Sequence, residues 1–319
     1  MNVHLKKCFN VFLVFIVILF FTSCMDLNAG FEDSIDKSFD VGEGGKLMVD
    51  TDIGSIEVKT EGREGVRVKV YRKAVTSSES KAEEIFSHFK LDFQKSGDDV
   101  IIDGDYDYKK FRSIFGRRSR LRVRFVITVP EKYNLELKTK GGSIEVSKIE
   151  GDVKARTSGG SLRFAYVKGP VWGRTSGGSI TLEGCSGDAD VNTSGGSIKI
   201  GEVKGEVKAH TSGGSIRVKE VMGTINAKTS GGSITAYISK QPQADCSLVT
   251  SGGSITAHLA EGIAVDVDAG TSGGHVTTEF EITIKGKISK SKLKAKINGG
   301  GPLLYLHTSG GSVRIKEMN

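Results

Sequence analysis

The sequence predicts an all-β protein: a parallel β-solenoid of 18-21-residue coils with a small helix-containing insertion near its N-terminus. Three observations carry that expectation. Paired glycines begin at Gly141, Gly159, Gly177, Gly195, Gly213 and Gly231, a constant spacing of 18 residues that marks a repeat architecture. Within each repeat, apolar residues alternate by two in short runs, the pattern of strands with one buried face. Helix formers are sparse after residue 95, where Val, Ile, Thr and Gly recur instead, a composition of strands and turns.

Set in register from the first Gly, the coils read GGSIEVSKIEGDVKARTS, GGSLRFAYVKGPVWGRTS, GGSITLEGCSGDADVNTS, GGSIKIGEVKGEVKAHTS and GGSIRVKEVMGTINAKTS. Apolar columns at places 4, 6, 9, 13 and 15 predict the inward face. Slips in parity between places 6 and 9, and across TSGG, predict corners, where Gly at places 1, 2 and 11 supplies positive φ or tight packing. One coil cannot stand alone. Five buried side chains at ~1.5 to 3 kcal/mol each do not offset ~1 to 2 kcal/mol of backbone entropy for every residue of the coil. Stacking is therefore required, with backbone hydrogen bonds between coils at ~4.8 Å and continuous apolar ladders. The period then loosens, to Gly252 and Gly273, and the last pair begins at Gly310 after a gap of 37. The stretch 283-301 alternates lysines with Ile288, Leu293, Ala295 and Ile297 and is expected as a degenerate coil with lysines guarding an edge. The final half coil, ending at Met318 and Asn319, is expected to leave an open edge suited to dimerisation.

The chain divides into four parts. Residues 1-23 read as a signal peptide, with Lys6 and Lys7 ahead of an apolar run too short for the ~20 residues of a membrane-spanning helix. Phe21-Thr22-Ser23-Cys24 resembles a bacterial lipobox, with Phe21 in place of the usual Leu, so Cys24 is the expected lipidation site and membrane anchor. Residues 24-45, rich in Gly, are expected as a flexible tether. Residues 46-130 hold a first coil, with Ile53 to Ile56 and Val66, Val68 and Val70 echoing the pattern, plus a capping insertion. A helix is expected there near 78-90, over SESKAEEIFSHFK. Residues 131-319 form the solenoid repeat domain.

Charge and composition exclude several function classes. Removing the leader leaves a formal surplus of about +5, far below the footprint of a dedicated nucleic-acid binder. The cysteines match no zinc or redox spacing. Cys185 replaces Val or Ile in its column and is expected as a small buried hydrophobe, while Cys246 is placed in a turn insertion too far away to pair with it. Asp188 and Asp190 share one coil, and Asp266 and Asp268 another several coils away, so no carboxylate set converges for general acid-base work. No histidine pair has ligand spacing, and no metal or cofactor is expected. The stacked Thr and Ser of each TSGGS corner are expected to satisfy corner backbone groups.

Two features remain for binding. In KKFRSIFGRRSRLRVRF, Lys109, Lys110, Arg112, Arg117, Arg118, Arg120, Arg122 and Arg124 crowd together, a candidate patch for an acidic glycan, lipid headgroup or protein. Trp172 stands at an outward place among Lys, Asp and Asn equivalents, a candidate contact residue. The segment FVITVPEKYNLELKTKGGSIEV and the TSGGSI coils after it resemble the bacterial putative-adhesin family of β-solenoid domains of unknown function, over roughly residues 46-319. That resemblance implies a right-handed solenoid outside the cytoplasm and brings no catalytic residues. The expected function is a non-catalytic, lipid-anchored adhesin-like scaffold of the cell envelope, binding a glycan or protein. An envelope-stress sensor with a protein partner is the first alternative, and a polysaccharide-acting enzyme the second.

Overall fold

The computed structural model describes residues 30-62, 64-107, 120-284 and 289-318. The signal peptide and Cys24 lie outside the described residues. Two 14-stranded sheets enclose the core. Each regular coil gives one strand to each sheet. Leu162-Lys168, Ile180-Cys185 and Ile198-Val203 belong to sheet I, and Val153-Thr157, Val171-Thr175 and Ala189-Thr193 to sheet II. Successive coils pair in parallel with a register of one repeat, as in Leu162 with Ile180 and Ile180 with Ile198. All five apolar places face inward. Ile144, Val146, Ile149, Val153 and Ala155 of one coil are buried, and so are their equivalents along the ladders. The columns also trade volume across the core. Phe164 is large where its neighbours are aliphatic, and opposite it stands Gly173, where an added methyl would lie 3.3 Å from the Phe164 ring. Large against small keeps the sheet separation constant.

The TSGGS corner is a hydrogen-bond device. Thr193 is fully buried. Its hydroxyl donates to the Gly178 carbonyl at 2.7 Å and accepts from the Gly196 N-H. The same pair of bonds recurs at Thr157, Thr175, Thr211 and Thr229. Corner serines form their own ladder, the Ser197 N-H donating to the Ser179 hydroxyl at 3.2 Å and so on coil by coil. The second glycine of each corner is demanded by stacking. A methyl on Gly178 would sit 2.2 Å from the Gly160 carbonyl oxygen of the coil below, while neither corner glycine has positive φ. Only Gly151, at place 11 of its coil, does so among the glycines of these regular coils.

Both ends depart from the sequential stack. At the N-terminal end, Lys46-Thr51 lies between Asn134-Thr139 and Asp99-Tyr106, and Ser55-Thr60 lies between Ile144-Val146 and Arg120-Val129. The expected insertion over 46-130 therefore contains a second coil, stacked outside the first. Its helix, Glu79-Ser87, links the outer strands of the two sheets, Val66-Val75 and Phe89-Ser96, and buries Ala82 and Ile85. Its N-cap, Ser78, makes no side-chain cap bond. Helix formation there rests on the packed face of Ala82, Ile85 and Phe86.

At the C-terminal end, Leu303-Thr308 inserts between Cys246-Thr250 and Val265-Thr271, and Val313-Glu317 between Ile255-Leu259 and Val276-Thr278. The last coil in sequence is thus covered on both sides. This corrects the expected open edge at the C-terminus, because a strand with two partners has no free ladder. Antiparallel strands finish each end: Phe31-Phe39 and Val66-Val75 in sheet I, Phe89-Ser96 in sheet II, and Lys292-Ile297 with Ile282-Ile284 at the far end of sheet II.

Three further expectations are corrected. Within the proposed tether, Phe31-Phe39 is a nine-residue strand, because Phe31, Ile35 and Phe39 pack against the core and the Glu32 and Asp36 carboxylates meet Lys73 and Lys69. The stretch 283-301 is no degenerate coil: Lys292-Ile297 runs antiparallel both to Val265-Thr271 and to Ile282-Ile284, and the left-handed turn at Asn298, Gly299 and Gly300 leads into the next strand. Lys285, Lys287 and Ile288 lie outside the described residues. Cys246 begins the strand Cys246-Thr250 and is buried, the extra residues of its coil having been absorbed by the bend before it.

Candidate binding face

With the inward places filled by the core, the chemistry available to a partner is set by the outward places of the two sheets. These form columns, because residues one repeat apart are direct neighbours. On sheet II, Glu136, Lys154, Trp172 and Asp190 follow one another along one column, and Lys138, Arg156, Arg174 and Asn192 along the next. Trp172 is held from one side. The Arg174 guanidinium lies over its ring at 4.6 Å from the centroid. That guanidinium is itself fixed, donating to the Gly173 carbonyl at 3.1 Å and the Asp190 carbonyl at 2.8 Å, with the Asp190 carboxylate also at 2.8 Å. On the other side is a depression of about 440 Å³ lined by Trp172, Lys138, Lys154, Arg156 and Glu136, with Leu137 and Ala155 beneath. Glu136 is paired to Lys138 at 2.8 Å. That hydrogen bond holds the Glu136 carboxyl below its ordinary range and raises the Lys138 ammonium.

The basic run expected as an anionic-ligand patch is only partly placed. Lys109, Lys110, Arg112, Arg117 and Arg118 lie outside the described residues. Arg120 opens the strand Arg120-Val129, in which Arg122 and Arg124 are exposed on the outer face of sheet I. Arg124 donates to Glu57 at 2.5 Å, and this bond is the largest cause of the raised Arg124 and lowered Glu57 pKa. The neighbouring strands add Lys59 to Glu57 at 3.0 Å and Lys73 to Glu32 at 2.7 Å. The described part of this patch is therefore interleaved with carboxylates, while the Trp172 depression has more cations than anions. Sequence reading singled out Trp172 but not Lys138, Lys154 and Arg156 as its companions. Writing the chain in rows of one repeat would have shown them.

The carboxylates weighed for catalysis have structural partners. Asp188 accepts from the Glu206 N-H at 2.8 Å, Asp190 holds Arg174, and Asp268 meets Lys294 at 3.1 Å and His307 at 3.2 Å. His210 and His307 lie in the same outward column, separated by Lys228 and Val249. Among the described residues no group of three or more His, Cys, Asp or Glu is placed to hold a metal ion. Cys185 and Cys246 are free and buried. Burial pushes the Cys185 thiol up to about 12 and raises that of Cys246. No helix among the described residues is long and apolar enough to cross a membrane.

Comparison with solved structures finds similar chains in several bacteria. A putative adhesin from Bacteroides fragilis is 14% identical, with 90% of this chain and 97% of that one covered and a TM-score of 0.35. A putative cell adhesion protein from Clostridium sporogenes is 12% identical, with 90% and 100% covered and a TM-score of 0.22. A putative lipid binding protein from Parabacteroides distasonis is 14% identical, with 90% and 97% covered and a TM-score of 0.33. No curated protein matches the chain. The family model described as Toastrack DUF4097 matches residues 45-316, the span of the two-sheet solenoid from its first coil to its last strand, and the chain belongs to that family.

Proposed function

We propose that this protein is a non-catalytic, adhesin-like binding scaffold of the bacterial cell envelope, exported by the leader at 1-23 and anchored through acylated Cys24. The observation that carries the reading is the pair of long sheets, whose outward places repeat at one strand spacing and whose Asp188, Asp190 and Asp268 carboxylates are held in ion pairs or a backbone cap. Such a surface binds an extended partner by many aligned contacts. The described chain begins beside the outermost strand of sheet I, so an anchor at Cys24 would hold the solenoid by that end.

Protease shaving of intact cells, comparing the native chain with Cys24→Ala, tests the reading. Digestion of the native protein on intact cells, with Cys24→Ala released to the soluble fraction, is the expected result. Protection of the native protein until the envelope is broken would overturn surface display. Retention of Cys24→Ala in the membrane would overturn the anchor.

A further inference from the structure

Trp172 is the single tryptophan of the chain, and it stands where a polar residue occupies the same place in neighbouring coils. A large aromatic ring at an outward place leaves apolar surface in water unless something covers it. Here one ring face is covered by Arg174, locked in place by Asp190. The flank toward Lys154 borders the depression. Among the described residues, neither Lys154 nor Arg156 forms a salt bridge; Lys154 acts on Glu136 only at longer range, Glu136 being paired with Lys138, so ammonium and guanidinium can both meet an anion. Lys154 and Arg156 are two places apart on one strand, ~6 to 7 Å along it. The cationic stretch is also bounded. One coil beyond Glu136 and Lys138 the columns carry Met48 and Asp50, and on the other side Asp190 and Asn192.

We infer that this depression is a subsite for an anionic polysaccharide, one sugar ring lying with its C-H face against Trp172 and its acidic substituent between Lys154 and Arg156. The inference rests on the binding-scaffold reading and names its ligand class. A sugar offers an apolar C-H face and an equatorial rim of hydroxyls, which suits an aromatic wall above a floor of strand backbone. The bounded charge argues against nucleic acid, whose affinity comes from many phosphates contacted along a tract. Three coils at ~4.8 Å give a footprint of ~10 to 15 Å, the length of two or three sugar residues.

Because Trp172 is the sole tryptophan, its fluorescence reports on this place alone. Titrating the full-length chain with polygalacturonate and with dextran sulfate should give a saturable emission shift. The tighter of the two tells whether the site prefers a carboxylate or a sulfate. The double substitution Lys154→Gln with Arg156→Gln should weaken binding about tenfold or more and flatten its salt dependence. Trp172→Ala, followed by calorimetry, should lose binding with unchanged far-UV circular dichroism. Lys208→Gln, two coils from Trp172 on the same face, should bind like the native chain. Equal affinity after the double substitution, an equal response to neutral dextran, or tighter binding of oligo-dT would overturn the inference. A silent titration on a chain that shaving shows at the surface would overturn the subsite alone. A saturable titration on a chain protected from shaving would leave the subsite standing and overturn the surface reading.

Discussion

The middle coils and the two ends of this solenoid solve different problems. From Asn134 to Leu259 each coil lies on its predecessor, the corners from Thr157 to Thr250 carry the same Thr and Ser bonds, and neighbours in sequence are neighbours in space. At each end the order of two coils is exchanged, and antiparallel strands close both sheets at the N-terminal end and sheet II at the C-terminal end, where sheet I finishes on the parallel strand Val276-Thr278. The interior can rely on repetition because any coil there has a partner on both faces. A terminal coil has a partner on its inner face only, and an exposed ladder of N-H and C=O groups recruits other chains. At the N-terminal end the later coil folds outside the earlier one, and at the C-terminal end the later coil inserts beneath the earlier one, so in both cases the less regular coil takes the outer place.

Deleting residues 303-319 gives the sharpest test of that contrast. With the exchanged order, the deletion removes the strand on which Val265-Thr271 rests, so hydrogen exchange should show protection lost from 265 to 297 as well, with Ile144-Val203 unchanged. A stack in sequence order would lose only its last coil and keep 265-297 protected.

Next in size is the corner glycine pair in the regular region. Gly178→Ala forces a methyl against the Gly160 carbonyl at 2.2 Å, whereas Gly177→Ala meets its nearest atom at an ordinary 3.4 Å. The first should cost about 3 kcal/mol or more, and the second under about 1 kcal/mol, read from urea midpoints. Similar costs for the two would mean that coils slide apart freely.

The corner threonines separate the two regions on a smaller scale. Thr193 bonds across the corner, but Thr51 in the first coil donates to Ile53, two residues on, at 2.9 Å. Thr193→Val should therefore cost about 1 to 2 kcal/mol and Thr51→Val less, by the same denaturation measurement.

The buried thiols give the smallest effect. In the folded chain Cys185 keeps its proton until about 12, against an ordinary value of 9.0. The unfolded chain ionises first, so stability is unaffected below about pH 9 and falls as pH rises from there toward 12. Labelling of Cys185 and Cys246 at pH 8, followed by peptide mapping, should proceed only through unfolding, and rapid labelling of either in the native protein would contradict the packed middle.

Much of this architecture was legible because a solenoid writes its geometry into a period. The inward columns at Ile144, Val146, Ile149, Val153 and Ala155 followed from parity and spacing alone, and so did Cys185 as a core residue. The helix at Glu79-Ser87 showed in its apolar face. The companions of Trp172 were one row away in the same alignment. Their convergence was overlooked because a linear reading weighs charge by density, which favoured the run from Lys109 to Arg124, where Arg124 meets the Glu57 carboxylate of another strand.

The sequence by itself determined which side chains face inward, where the corners fall and that coils must stack, since burial, parity and close backbone approach are local demands. Only the tertiary structure decided which coil lies on which at the ends, that Phe31-Phe39 pairs as a strand, and that Arg174 and Asp190 fix Trp172 beside Lys154 and Arg156. Every TSGGSI coil offers the same ladder to any other. The choice among equivalent partners therefore depends on the whole chain: on the length of each excursion and on the antiparallel strands that can close the edge it leaves.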